Sequence, residues 1–513
     1  MCGVEVELKF QVPPARRAAL RAALATAGAH RTRLRARYFD TPERALAAAG
    51  LALRLRDEGG RWVQTLKGRG DGVAARLEHE VAIGPVAAGE ARGAGATGGP
   101  PVLDIARHAG HPAGAALARA LRGGGALAER FRTDIRRTLR RVRSGGAVIE
   151  IALDEGHIQA GAARLAVHEI EFELVRGEPA ALVALAARWA ARHGLWWDVR
   201  SKAERGERLA RGAERVAGVK AAPPRVDEHD TPARAFAALV HAGLAQVLPN
   251  AAEIAEGLGE PEHLHQLRVG LRRLRTALRD FAPWSADEAA ARALEAGWRE
   301  PFARLGAARD LDVVLQTLWP RMQAAGAPPL PPIEPAAGGP SPRAEVLSGA
   351  FQRLLLDTLA LALAAPAAPA APAMPTASAD RGAPGPAAQG ALRPAAARVL
   401  RRAWKRALGD VERFERLEVA EQHAVRKRLK RLRYGFEFMA ALYPPAAARR
   451  LQRRLAAAGE VLGELNDLAV AEAAFDAAHH AWALGWLAAE RERAVARAGK
   501  RLRALAQARQ PWR

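Results

Sequence analysis

The stretch Val4-Glu5-Val6-Glu7-Leu8-Lys9-Phe10 alternates without exception between apolar and charged residues. Successive side chains of a strand point to opposite faces, so Glu5, Glu7 and Lys9 share one face and Val6, Leu8 and Phe10 the other. The same rule groups Arg54 with Arg56, Arg76 with Glu78 and Glu80, Glu150 with Asp154, and Glu169 with Glu171 and Glu173. Several strands therefore have one wholly charged face. Two folds accommodate this: an antiparallel sheet whose charged face meets water, or a closed barrel with the charges turned inward. On alternation alone both stay open. The mixture of signs speaks for the barrel, because acidic pairs stand on the first and late strands while Arg54, Arg56 and Lys67 stand on the middle ones. Turned inward, these groups would face one another around a lumen suited to phosphate chains. Carboxylates two apart on a strand hold hard divalent ions through oxygen, and Arg and Lys neutralise the remaining phosphate charge.

The rest of the chain divides in two. Up to about residue 215 short alternating segments are separated by Gly-rich breaks, the pattern of strands. From about Thr231 onward apolar residues recur three and four apart over Ala/Leu/Arg-rich segments, the pattern of helices. We place an N-terminal domain at 1–215, a linker with Pro223 and Pro224 at 216–230, and a helical domain at 231–513. Within the latter, 327–342 and 364–394 are Pro-rich and read as loops. The fold class expected is α+β: an N-terminal antiparallel β domain followed by an all-α domain. An internal repeat runs through the helical part: His265-x-x-Arg268-x-x-x-Arg272-Arg273-x-Arg275 aligns without a gap with His423-x-x-Arg426-x-x-x-Lys430-Arg431-x-Arg433. Their apolar stripes align too, Leu267, Leu271, Leu274 and Leu278 with Val425, Leu429, Leu432 and Phe436. Further on, Leu305-Gly306-x-x-Arg309-Asp310 is echoed by Leu462-Gly463-x-x-Asn466-Asp467.

The 513 residues carry a formal charge of +23, split almost evenly, about +11 before residue 231 and +12 after it. Each part therefore calls for anionic company. One cysteine, Cys2, excludes a disulfide framework or a Cys-based zinc site. Without a recognisable signal peptide or an uninterrupted run of about 20 apolar residues, the sequence predicts a soluble cytoplasmic protein with no membrane partner.

In the N-terminal part, Glu5-x-Glu7-x-Lys9 forms an ExExK motif, followed in order by Tyr38-Phe-Asp-Thr-Pro42, Leu53-Arg-Leu-Arg56, Gln64-Thr-Leu-Lys67-Gly68, Phe131-Arg-Thr-Asp134, Glu169-Ile-Glu-Phe-Glu173 and Ser201-Lys202-Ala-Glu-Arg-Gly206. This ordered set resembles the CYTH family, the triphosphate tunnel metalloenzymes. The resemblance implies an eight-stranded antiparallel tunnel that binds triphosphate groups with Mg2+ or Mn2+. It implies metal ligands among Glu5, Glu7, Glu169 and Glu171, with Asp154 and Glu173 as further candidates, and catalytic roles for Glu7 and Lys9. Lys9, Arg54, Arg56, Lys67, Arg136 or Arg137, and Lys202 would face the phosphates. Around Phe131 the inward arginine stays open, since Arg132 and Arg136 share one parity and Arg137 has the other.

On a helix His265, Arg268, Arg272, Arg275 and Arg279 form one basic stripe beside the leucine stripe, and His423, Arg426, Lys430 and Arg433 repeat it. A solvated face is the ordinary reading of one Arg-rich helix. The same pattern occurring twice, with like charges three and four apart, favours a bound anion. The paired His-x-x-Arg cores resemble the CHAD family, which implies a helical bundle whose basic groove binds inorganic polyphosphate. The CYTH-then-CHAD order resembles bacterial inorganic triphosphatases, implying metal-dependent hydrolysis of inorganic triphosphate. Adenylate cyclisation, nucleoside or thiamine triphosphate hydrolysis, and non-catalytic polyphosphate binding are the alternatives, and association with polyphosphate granules would follow from the helical domain. With only 5% aromatic residues and no helix-turn-helix or RNA-binding signature, specific nucleic-acid binding is not expected. A metal at His263-x-His265 is disfavoured, and Gly93-x-Gly95-x-x-Gly98 runs into Gly99-Pro100-Pro101 and not a helix, so it reads as a loop.

Overall fold

A computed structural model of the chain describes residues 4–70, 72–85, 101–213, 215–313, 317–329, 341–364, 392–475 and 479–512. The Gly93–Gly98 segment and most of both Pro-rich segments lie outside the described residues. The chain forms two compact units: one of residues 1–219, 248–263 and 346–360, the other of 220–247, 264–345 and 361–513.

In the first unit eight antiparallel strands close into a barrel: β1 (Val4–Gln11), β2 (His30–Asp40), β3 (Ala52–Glu58), β4 (Arg61–Arg69), β5 (Ala75–Pro85), β6 (Ala128–Ser144), β7 (Ala147–Ala160) and β8 (Ala163–Arg176). Their order is β5-β4-β3-β2-β6-β7-β8-β1, and the pairing of Glu5 with Arg76 joins β1 back to β5. A two-residue strand, Trp196–Trp197, adds to β1 beside Phe10. The β6–β7 hairpin turns on Gly145 and Gly146 at φ +57° and +77°, a left-handed pair of conformations that glycine adopts without steric cost and that matches the strand twist.

The alternation read from the sequence inverts the usual arrangement of a small protein. Leu8, Phe10, Ile149, Ile151, Ile170 and Phe172 point outward and are buried all the same, because helices cover the wall. Helix α1 (Arg17–Leu24) buries Leu20 and Leu24, and α2 (Pro179–His193) buries Leu182, Val183, Leu185 and Ala186. Phe10 meets Phe172 edge-on at 5.7 Å, and Phe172 meets Trp189 of α2 at 5.9 Å. The apolar core thus lies outside the barrel, and charge is left to fill the lumen. At one end the inward positions become apolar (Leu34, Ala36, Tyr38, Phe131, Ile135, Ile158 and Val167), and Ala203 and Leu209 of helix α3 (Lys202–Ala210) pack on them. A capping box between Ser201 and Glu204 starts α3, satisfying its first N–H groups. Glu253 receives Arg200 at 2.9 Å and Arg208 at 3.0 Å, one just ahead of this helix and one near its end.

The second unit is helical. Its repeat becomes two helix pairs, α4 (Pro261–Asp280) with α5 (Arg299–Val313), and α6 (Val419–Met439) with α7 (Pro445–Ala474). The aligned stripes are its core: Leu267, Leu271, Leu274 and Leu278, and Val425, Leu429, Leu432 and Phe436, are all buried. Arg273 crosses from one copy to the other, donating to Glu437 at 2.5 Å and lying over the Phe438 ring at 4.9 Å. One helix, Pro232–Glu256, is long and apolar enough to cross a membrane by length and composition, with a mean hydropathy of 1.3 over its best window. That window is 72% buried in the protein, with Phe236, Leu239, Val240 and Leu244 fully enclosed.

Candidate functional site

The barrel register decides which charges meet. Lys9 pairs with Glu171, Gln11 and Asp154 each with Glu169, and Arg137 with Asp154. Directly paired residues share a face, so Glu5, Glu7, Lys9, Arg54, Arg56, Lys67, Glu78, Arg137, Asp154, Glu169, Glu171 and Glu173 all line the lumen. The register also resolves the arginine ambiguity: Arg137 is inside, whereas Arg132 and Arg136 are exposed on the outer wall. Arg136 is therefore removed from the phosphate-facing set.

The six carboxylates expected to hold metal divide into two groups. Asp154, Glu169 and Glu171 form the first, with ligand atoms all within 4.8 Å of one another. Asp154 and Glu169 have no exposed surface. Arg137 forks both oxygens of Asp154 at 2.7 Å and reaches Glu171. Lys202 contacts all three carboxylates, and Arg205, a residue the sequence did not single out, contacts Glu169. Burial pushes the Asp154 and Glu171 carboxyls up, but the charges of Arg137 and Lys202 outweigh it and hold both below the usual carboxylate range. Both are thus ionised at neutral pH. Oxygen-only donors this close together fit a hard divalent ion. The fit makes Asp154, Glu169 and Glu171 the residues to hold it.

The second group is Glu5, Glu7 and Glu173, with Glu78. Glu7 pairs with Arg76 at 2.6 Å and Lys67 with Glu78 at 2.6 Å. Burial and the neighbouring Glu78 carboxylate push the Glu5 carboxyl up to about 10; burial and Glu150 raise Glu173. Glu5 and Glu78 therefore share a proton at neutral pH, which a divalent ion bound there would have to release. Lys9 is buried against the wall, its ammonium donating to the Arg200 carbonyl, and burial lowers its pKa. Arg54 is held by the Tyr38 hydroxyl at 3.3 Å, and Arg56 lies 3.1 Å from Glu80.

A second candidate site lies in the helical unit. A cavity of about 580 Å3 is lined by His265, Arg268, Arg272, Arg275 and Arg279 of α4 and by His423, Arg426, Lys427, Lys430 and Arg431 of α6. The two copies of the repeat thus empty their basic stripes into one space. Arg433 lies beside it, in a cleft with Leu455 and Gly459. Phe302 was not foreseen, yet the guanidinium groups of Arg268, Arg272 and Arg275 stand 5.6, 5.8 and 5.4 Å from its ring. When Leu305-Gly306 is aligned with Leu462-Gly463, Gly459 takes its place in the second copy, whose aromatic residue at the cavity is Tyr434 of α6. Glu295 pairs with both Arg275 and Arg279 at 2.8 Å. Lys430 has no carboxylate in ion-pair range among the described residues. Burial, with Arg426, Arg272 and Arg433 around it, lowers its pKa to about 7. The side chain of Arg309 lies outside the described residues, while Asn466 and Asp467 line the cavity. His263 is buried, and its Nδ1 accepts the Glu260 N–H at 3.0 Å, a helix-start role.

These two sites meet two family models, CYTH domain over residues 3–206 and CHAD domain over residues 238–476. The chain carries a CYTH domain followed by a CHAD domain. CYTH domains bind triphosphate substrates in metal-dependent reactions, and their members include triphosphatases and cyclases. Among solved structures, the CHAD domain from the plant Ricinus communis is 25% identical with a TM-score of 0.41, covering 57% of this chain and 98% of that one. A putative adenylyl cyclase from Hippeastrum, described as revealing a dominant triphosphatase activity, is 20% identical with a TM-score of 0.29, covering 40% of this chain and 96% of that one. A putative adenylate cyclase from Bacillus halodurans is 20% identical with a TM-score of 0.24, covering 37% and 90%.

Proposed function

We propose that the CYTH barrel hydrolyses inorganic triphosphate with Mg2+ or Mn2+ and that the CHAD cavity binds inorganic polyphosphate. The observation that carries the first part is the shared lumen: Arg54, Arg56, Lys67, Arg137 and Lys202 face the same space as the Asp154, Glu169 and Glu171 triad. A chain of phosphates needs cations along its length, and a phosphoryl transfer needs its developing charge neutralised and its nucleophile positioned. The arginines, as planar forks, would grip non-bridging oxygens in pairs. A divalent ion at the triad would polarise the phosphoryl group and lower the pKa of water. Glu7 and Lys9 lie on the same strand face, where Glu7 would position the site through Arg76 and Lys9 would add charge beside Glu171. The CYTH-then-CHAD order, which resembles that of bacterial inorganic triphosphatases, supports an inorganic substrate over ATP or thiamine triphosphate.

The second part rests on the convergence of two basic stripes in one cavity. The low aromatic content and the covering of Phe302 by three guanidinium groups leave little surface for base stacking, which favours a phosphate chain over a nucleic acid. The test is phosphate release from tripolyphosphate with Mg2+ or Mn2+, comparing wild type with Glu7→Gln and running ATP and thiamine triphosphate alongside. Metal-dependent release from tripolyphosphate, lost in the variant, supports the reading. Faster turnover of ATP, or pyrophosphate release with formation of a cyclic nucleotide, would assign the tunnel to a nucleotide. No turnover of any substrate would leave it a binding site. Competition between polyphosphate and single-stranded DNA of matched charge tests the cavity.

A further inference from the structure

The ammonium of Lys202 stands where the triad would hold a metal. Its Nζ lies 2.6 Å from Asp154 Oδ2 and 2.8 Å from Glu171 Oε1, and it also contacts Glu169. Arg137 takes both oxygens of Asp154 and the second oxygen of Glu171, while Arg205 takes the second oxygen of Glu169. Three carboxylates therefore face three cations, and each carboxylate oxygen has a cationic partner. Such a cluster is fully paired and, with Lys9 beside Glu171 as well, carries no net negative charge. A divalent ion entering it would lose hydration with no net negative charge to offset the loss, so one resident cation must leave first.

The structure points to Lys202 as the one that leaves. Arg137 belongs to the barrel wall and is forked onto Asp154, a geometry that fixes it. Arg205 touches only one of the three carboxylates. Lys202 touches all three, and it occupies the first turn of α3, outside the wall, on a four-carbon stem with freely rotating bonds. An arriving triphosphate brings several negative charges into the lumen and gives that ammonium an alternative partner. We propose that Lys202 is a built-in counter-cation that competes with the divalent metal for Asp154, Glu169 and Glu171. When triphosphate enters, the ammonium moves to phosphate and opens the triad to metal. Metal loading is thereby tied to the arrival of substrate. This rests on the metal-dependent triphosphate reading of the tunnel and adds an order of events to it.

The experiment is Mn2+ binding to the full chain without substrate, followed by the electron paramagnetic resonance of free Mn2+, in wild type, Lys202→Gln and Lys202→Arg. Removing a unit charge at contact distance should tighten Mn2+ binding by roughly tenfold or more in Lys202→Gln, while Lys202→Arg stays close to wild type. Adding Asp154→Asn to Lys202→Gln should abolish the gain, which assigns it to the triad. Equal or weaker binding in Lys202→Gln, or a gain that survives Asp154→Asn, overturns the proposal and leaves the metal reading standing. Absence of Mn2+ binding from every variant overturns both. An unmutated readout covers a variant that fails to fold: Mg2+ should raise the rate at which acetic anhydride acetylates Lys202, read by peptide mass spectrometry. A rate that Mg2+ does not change overturns the competition.

Discussion

Polyphosphate binding to the CHAD cavity should weaken as pH rises from 6 to 8, and Lys430 should be the cause. With the cavity empty, burial and the charges of Arg426, Arg272 and Arg433 hold its pKa at about 7, with Asp467 the opposing charge. A bound phosphate chain supplies the missing negative charge and returns the ammonium toward its ordinary value near 10.4. The sign follows from linkage: the bound state holds a proton that the empty state loses above about pH 7, so affinity is full below that pH and falls above it. With those two values, the dissociation constant rises by about 1.1-fold at pH 6 and about 11-fold at pH 8 over its low-pH limit, a net change of roughly tenfold. Burial and the neighbouring Lys427 and Arg426 also lower the His423 pKa, so a bound anion that raises it adds to the slope in the same direction. The assay is isothermal titration calorimetry with long-chain polyphosphate, whose few terminal phosphates keep its own titration small, at constant ionic strength. Repeating it in buffers of different ionisation enthalpy counts the protons taken up, expected to approach one per bound site at pH 8. Lys430→Arg, charged throughout, should flatten the dependence. A wild-type affinity that is constant from pH 6 to 8, or an equal slope in Lys430→Arg, refutes the reasoning.

Two further outcomes follow from packing and charge. Asp154→Asn removes one of the buried carboxylates that Arg137 and Lys202 share and leaves the cluster with an uncompensated positive charge, so denaturant unfolding at pH 7 should show a loss of up to about 3–5 kcal/mol, the usual cost of such a charge. An unchanged midpoint would mean the two cations find other partners. Gly206→Ala should destabilise by about 1–3 kcal/mol, because a Cβ there would fall 2.2 Å from the Phe131 ring. Phe131 stacks on Tyr38 at 4.5 Å, and Tyr38 holds Arg54, so thermal melting should report the loss and tripolyphosphate KM should rise with it.

Period and parity are local properties, and they carried far. Glu5, Glu7 and Lys9 had to share a face, and so did Glu169, Glu171 and Glu173, whatever the strands paired with. The His265 and His423 stripes had to lie beside their leucine and valine stripes for the same reason. The direction in which the charged faces turned was not local: an open sheet and a barrel read alike until Glu5 paired with Arg76 and closed the sheet. Arg136 and Arg137 likewise differed only by register, which the pairing of Arg137 with Asp154 decided.

The alternation and the repeat thus determined a β part with charged strand faces, a helical second part and two sets of candidate anion-facing residues, because each depends on side chains within a turn or two of one another. Only the tertiary structure divided the acidic residues into the Asp154 triad and the Glu5 group. It alone placed Arg205 and Lys202 against that triad and Phe302 beneath three arginines. It alone buried Lys430 and brought Arg272 of the other copy to it, so that its pKa fell to about 7. Those groups are far apart in the chain, and their protonation and affinity depend on burial and on charges a few ångströms away, quantities that exist only once the barrel has closed and the two repeat copies have packed.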